Sequence, residues 1–142
     1  MLETVLGHLD ALVAFDTRNP PRRIGTEIFD YIQSQLPGFS CRLQDHGDGA
    51  ISLLAVRGAP TRVFNVHLDT VPSSPDWTAD PLLLRVRDGR AIGLGACDIK
   101  GAAAGLIAAA NATTGDAAFL FSSDEEANDP RCIAAFLAAD HG

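Results

Sequence analysis

Imidazole and carboxylate groups are the side chains of this sequence whose spacing could do chemistry. His67 and Asp69 stand two apart at the end of an apolar run, Val63-Phe64-Asn65-Val66. On a continuing strand both would point to one side. Neutral imidazole is a common metal ligand, and a carboxylate beside it can fix its tautomer and orientation. Taken alone, such a pair more often just satisfies backbone groups in a turn. Asp98 lies in Gly93-Leu94-Gly95-Ala96-Cys97-Asp98-Ile99-Lys100-Gly101. Gly93 and Gly95 have the first two spacings of a dinucleotide-binding loop, but Asp98 takes the third glycine's place. A carboxylate there would repel a pyrophosphate at a helix N-terminus. It suits a cation, and it equally suits capping of the following helix. The last group is Ser122-Ser123-Asp124-Glu125-Glu126-Ala127-Asn128-Asp129. Such an acidic run is usually a solvated loop. Here it directly follows an apolar stretch, 117–121, and the C-terminal ends of strands are where open α/β sheets bind ligands. Adjacent glutamates leave a strand in different directions, so one can ligate a metal while its neighbour moves protons.

Carboxylate and imidazole without thiolate suit zinc, cobalt or manganese better than copper or an iron–sulfur cluster. Two such ions, roughly 3.5–4 Å apart, can activate a shared water and polarise a carbonyl.

The elements that must position these groups are legible in hydrophobic periodicity. Leu2, Val5, Leu6, Leu9, Leu12 and Val13 recur at helical spacing, predicting a helix over 2–15 that Asn19-Pro20-Pro21 breaks. A second helix is expected over 24–36, stopped by Pro37-Gly38. Strands are expected over 39–44 and 50–56, around the turn at 45–49. The run ending at His67 reads as a buried strand. Asp88-Gly89 marks a hairpin between 82–86 and 90–93. A helix of small residues covers 99–112, where Gly101 and Gly105, one turn apart, allow close packing. A buried strand at 117–121 and a helix at 130–139, with proline in its first turn, complete the chain. The fold class this implies is α/β: a helix-covered mixed, largely parallel sheet.

Composition narrows the function further. A net charge of −7 argues against a nucleic-acid partner and suits a site built of carboxylates. Cys41, Cys97 and Cys132 form neither a CxxC pair nor an even framework, and read as reduced thiols of a cytosolic protein. Cys97 reads as a small buried filler. The start has no signal-peptide pattern, and 101–112 is too short to span a bilayer.

The order His67-x-Asp69-x-Val71-Pro72, then Gly95-x-x-Asp98-x-Lys100-Gly101, then Asp124-Glu125-Glu126 resembles the two-metal amidohydrolase and peptidase family. That family includes acetylornithine deacetylase, succinyl-diaminopimelate desuccinylase, aminoacylase and carboxypeptidase G. The chain looks most like the acetylornithine and acetylcitrulline deacetylases of arginine biosynthesis. The resemblance implies a zinc-exopeptidase-like catalytic domain of which residues 1–142 are the N-terminal part, with a dimerisation domain and further ligands beyond. It implies two divalent ions, zinc or cobalt, with manganese a third option. His67 would bind one ion, Glu126 the other, and Asp98 both. Asp69 would orient His67, and Glu125 would be the base acting on a bridging water. The substrate would be a small N-acyl amino acid, with no nucleic acid and no membrane, in a cytoplasmic homodimer. It also implies a cis peptide at Asp98–Ile99. Two departures stand out: Leu94 where relatives commonly have arginine, and Asn128-Asp129 where a glycine is common. The alternatives are a dipeptidase, carboxypeptidase or desuccinylase of the same family, or an inactive fragment with an incomplete metal site.

Overall fold

The computed structural model describes residues 1–21 and 24–139. Helix α1 (Leu2–Ala14) buries Leu9, Leu12 and Val13, the C-terminal half of the stripe its periodicity predicts, while Leu2 is exposed. Helix α2 (Glu27–Ser34) is shorter than the 24–36 expected, and buries Ile28, Phe29 and Ile32. Ile24 and Leu36 stay buried on either side of it, so the apolar face outruns the hydrogen-bonded helix. Strands β1 (Ser40–Asp45) and β2 (Ile51–Arg57) form an antiparallel hairpin in the expected register region. Strand β3 (Phe64–His67) follows, then a small hairpin of β4 (Arg85–Arg87) and β5 (Arg90–Ile92). Asp88 (φ 51°) and Gly89 (φ 71°) turn that hairpin with the two positive φ values a type I′ turn requires. Helix α3 (Gly101–Asn111), strand β6 (Ala117–Ser122) and helix α4 (Arg131–Ala138) complete the described elements.

The main sheet has the order β1-β2-β6-β3. It is mixed, as expected, but not largely parallel: β1–β2 and β2–β6 are antiparallel, and β3–β6 is parallel. The reason is the short connection between β1 and β2, which only an antiparallel pair allows, and the placement of β2 between β1 and β6. Side chains alternate across this sheet. Leu53, Ala55, Phe119 and Phe121 face one way, into a buried cluster with residues of α1, α2 and α3. Small residues on α3 allow this approach: Ala103 and Ala104 are fully buried there, with the larger Ile107 beside them.

Strand β3 departs from its expected burial. Among the described residues it pairs with β6 alone, and Val63 and Phe64 are 42% and 56% exposed while Val66 is buried. Cys97 is likewise exposed rather than a buried filler, whereas Cys132 is the buried thiol. No helix among the described residues is long and apolar enough to cross a membrane.

Candidate metal centre

Parallel pairing of β3 with β6 places His67 opposite Ser122, and Leu68 N–H donates to Ser122 O at 2.7 Å. Two chain segments more than fifty residues apart therefore leave the sheet side by side. One carries His67 and Asp69, the other Glu125 and Glu126. The third segment is an irregular turn, Ala96–Lys100, between β5 and α3. Asp98 (φ −123°, ψ 90°) and Ile99 (φ −137°, ψ 32°) leave helical geometry there, and the Asp98–Ile99 peptide is cis, as the resemblance implied. Asp98 does not cap α3, which has no side-chain cap.

Two residues hold this turn. Gly95 adopts φ 75°, and a Cβ there would sit 2.5 Å from Thr70 Cγ2; only glycine combines that conformation with that approach. Lys100 is buried, and its ammonium donates to Phe15 O at 2.9 Å at the end of α1. Burial pushes its pKa down to about 8, with Asp16 opposing the shift.

The imidazole of His67 is oriented from behind. Its Nδ1 lies 3.0 Å from Asp69 O and 3.4 Å from Asp69 Oδ1. Both are acceptors, so Nδ1 carries a proton, and the ring when neutral has its lone pair at Nε2. That nitrogen lies 3.1 Å from Asp98 Oδ1 and 3.9 Å from Glu125 Oε2. Ligand atoms of His67, Glu125 and Glu126 all fall within 4.8 Å of one another. Asp69 itself is fully buried, while the side chains of Asp98 and Glu125 are 72% and 62% exposed.

Electrostatics describes a site short of positive charge. The Asp69 carboxylate, 3.4 Å from Nδ1, raises the imidazole pKa to about 9; burial opposes this, while Asp69 O and the charge of Glu125 add to it. Burial acts to raise the Asp69 carboxyl, but His67, Asn19 and the Glu126 N–H together bring it below the ordinary value. Burial first, and then Glu125, pushes Glu126 up. In the metal-free protein the Nε2 proton thus stands where a cation would bind. A divalent ion accepted by an imidazole nitrogen and these oxygens fits the donor set.

Five sequence-predicted residues, His67, Asp69, Asp98, Glu125 and Glu126, are brought together. Asp124 is not part of the cluster's open face. It is 1% exposed and accepts the Cys132 N–H at 2.8 Å, tying the acidic loop to α4. Sequence reasoning missed Asn19, a buried residue whose amide donates to Asp69 Oδ2 at 2.9 Å. Its place before Pro20-Pro21 reads as a helix stop, and nothing local announces a partner fifty residues away.

The sequence profile of peptidase family M20/M25/M40 matches residues 63–141, which include all three acidic segments. The N-acetyl-L-citrulline deacetylase of Xanthomonas campestris pv. campestris is 69% identical over 140 residues, 97% of this chain and 38% of the relative. The succinyl-diaminopimelate desuccinylase of Zymomonas mobilis is 37% identical over 98 residues, 63% of this chain and 26% of the relative. The crystal structure of human carnosine dipeptidase 1 superposes with a TM-score of 0.77 at 24% identity, covering 89% of this chain and 33% of that one; this likeness bears on the fold. The chain thus spans well under half the length of these proteins. The profile match covers more than half of the chain and holds the strand, turn and acidic loop that build the site, and on that ground the chain belongs to peptidase family M20/M25/M40.

Proposed function

We propose that this chain forms the N-terminal part of the catalytic domain of a metal-dependent amide hydrolase. The reaction would remove the acetyl group from an N-acetylated amino acid, acetylcitrulline or acetylornithine, in arginine biosynthesis. The observation carrying the chemistry is the convergence of His67 Nε2 with the carboxylates of Asp98, Glu125 and Glu126. What favours acetylcitrulline is the 69% identity to an N-acetyl-L-citrulline deacetylase. Three free cysteines suit a reducing, cytoplasmic setting.

A pair of divalent cations, zinc or cobalt, would supply Lewis-acid polarisation of the scissile carbonyl and acidify a water. His67, Asp98 and Glu126 would hold them. Asp69 keeps the His67 ring in one tautomer and one orientation. Glu125, exposed at the mouth of the cluster, takes the proton from the attacking water at its carboxylate. It then delivers that proton to the leaving nitrogen as the C–N bond breaks, giving acetate and the free amine.

Glu125→Gln in the full-length enzyme tests the assignment. Metal content should stay near the wild-type level while turnover of acetylcitrulline falls about 10²–10⁴-fold. Retained turnover would refute the base. Parallel assays with acetylornithine, succinyl-diaminopimelate and a dipeptide decide the substrate, and faster turnover of any of these would displace acetylcitrulline.

A further inference from the structure

The segment after α1 does more than end a helix. Thr17 Oγ1 donates to Leu68 O at 2.7 Å, Thr70 N–H to Thr17 O at 3.0 Å and Asn19 N–H to Thr70 O at 2.7 Å. Residues 17–19 are thereby stitched alongside 68–70, the stretch carrying Asp69. Asn19 is 1% exposed, so an amide there must have a reason to give up water. Its Nδ2 donates to Asp69 Oδ2 at 2.9 Å and reaches Ser123 O at 3.4 Å. The Glu126 N–H donates to the same Oδ2 at 2.8 Å. Both donors fall on one oxygen of Asp69. The other, Oδ1, is buried, has no conventional hydrogen-bond partner among the described residues, and faces His67 Nδ1 at 3.4 Å.

We propose that Asn19 is a positioning residue for the metal centre. By holding Asp69 Oδ2 it fixes the rotation of the carboxylate, so that Oδ1 stays 3.4 Å from His67 Nδ1 beside Asp69 O, the hydrogen-bond acceptor at 3.0 Å, and the ring keeps Nε2 toward Asp98, Glu125 and Glu126. The inference rests on the metal-binding part of the proposed function and adds a residue outside the three acidic segments. A neutral amide suits this place, because a cationic donor would pull charge from Asp69 and weaken its hold on the imidazole.

Zinc affinity in the full-length protein, measured by competition with a chromogenic chelator, tests it without reference to turnover. Asn19→Ala, Asp69→Ala and the double variant are compared at a temperature where circular dichroism shows each to be folded. Asn19→Ala should weaken zinc binding about 10–100-fold, the range for removing an outer partner of a ligand. In the Asp69→Ala background the same change should cost little more, because its effect passes through Asp69. Equal affinity of Asn19→Ala and wild type overturns the inference and leaves the metal reading intact. An undiminished loss in the Asp69→Ala background also overturns it, since Asn19 would then act by another route. Absence of saturable zinc binding by the wild type overturns both. If Asn19→Ala does not fold, the Asn19 side-chain amide resonances of the wild type decide: they should shift and exchange more slowly on zinc addition, and unchanged signals refute the role.

Discussion

At the scale of single residues, the site's behaviour turns on His67. Its folded pKa is raised from the ordinary 6.5 to about 9, so proton binding stabilises the metal-free fold. That stabilisation is present in full below about pH 6.5 and is lost as pH rises through about 9. Asp69, shifted downward, adds stability above its ordinary 3.8 that is lost in acid. The metal-free pair therefore helps most between these limits. Urea denaturation of the metal-free protein should show stability falling from pH 6.5 to 9.5, with the decline reduced in His67→Gln. A decline of equal size in that variant would assign it elsewhere. A zinc ion at His67 would compete with the same proton, so zinc affinity should rise over this window, with protons released on binding. His67, Asp69, Asp98, Glu125 and Glu126 were legible because each is a hard ligand or its partner at a strand or turn end. Asn19 and Lys100 were not. Their partners, Asp69 and Phe15, lie fifty and eighty-five residues away, and no local spacing encodes that distance.

Among elements, the turn Ala96–Lys100 and the start of α3 show where residue type outweighs pattern. Gly101 and Gly105 look equivalent in sequence, one helical turn apart. A Cβ on Gly101 would sit 2.5 Å from Ala96 O, whereas one on Gly105 meets nothing within 4 Å. The close-packing expectation holds at the first and fails at the second, because the irregular turn folds back only over the helix start. Opposite outcomes follow for two alanine substitutions. Gly105→Ala removes a flexible residue from a helix interior and should stabilise by about 0.5–1 kcal/mol. Gly95→Ala forces φ 75° on a residue with a Cβ and drives it into buried Thr70. It should destabilise by at least ~1 kcal/mol and weaken zinc binding through displacement of Asp98. Thermal denaturation and chelator competition on the two variants check both signs, and a neutral Gly95→Ala would mean the turn can relax. Helix positions were readable because burial on one face leaves a 3.6-residue signature. The parallel share of the sheet was not, because apolar strands record burial rather than direction.

Across the whole molecule, the site belongs to no single element. His67 ends β3, Asp98 sits before α3, and Glu125 and Glu126 follow β6. The β3–β6 pairing fixes the first and last relative to each other, while Lys100 and Phe15 tie the middle one to the end of α1. An ion bound by these groups would bind the folded state and not the unfolded chain, so occupancy should stabilise the entire fold. At zinc a hundredfold above its dissociation constant the gain is about 2.7 kcal/mol. In the full-length protein that gain should appear as a rise in Tm, reversed by a chelator. The same carboxylates repel one another without the ion, which is why Glu126 is pushed up by Glu125 as well as by burial. Glu126→Gln should accordingly lose most of the zinc-induced rise while leaving the metal-free Tm unchanged or slightly higher. A wild-type Tm indifferent to zinc would show that the three segments, though adjacent, do not act as one centre. A rise that survives Glu126→Gln would place the stabilising ion away from the acidic loop.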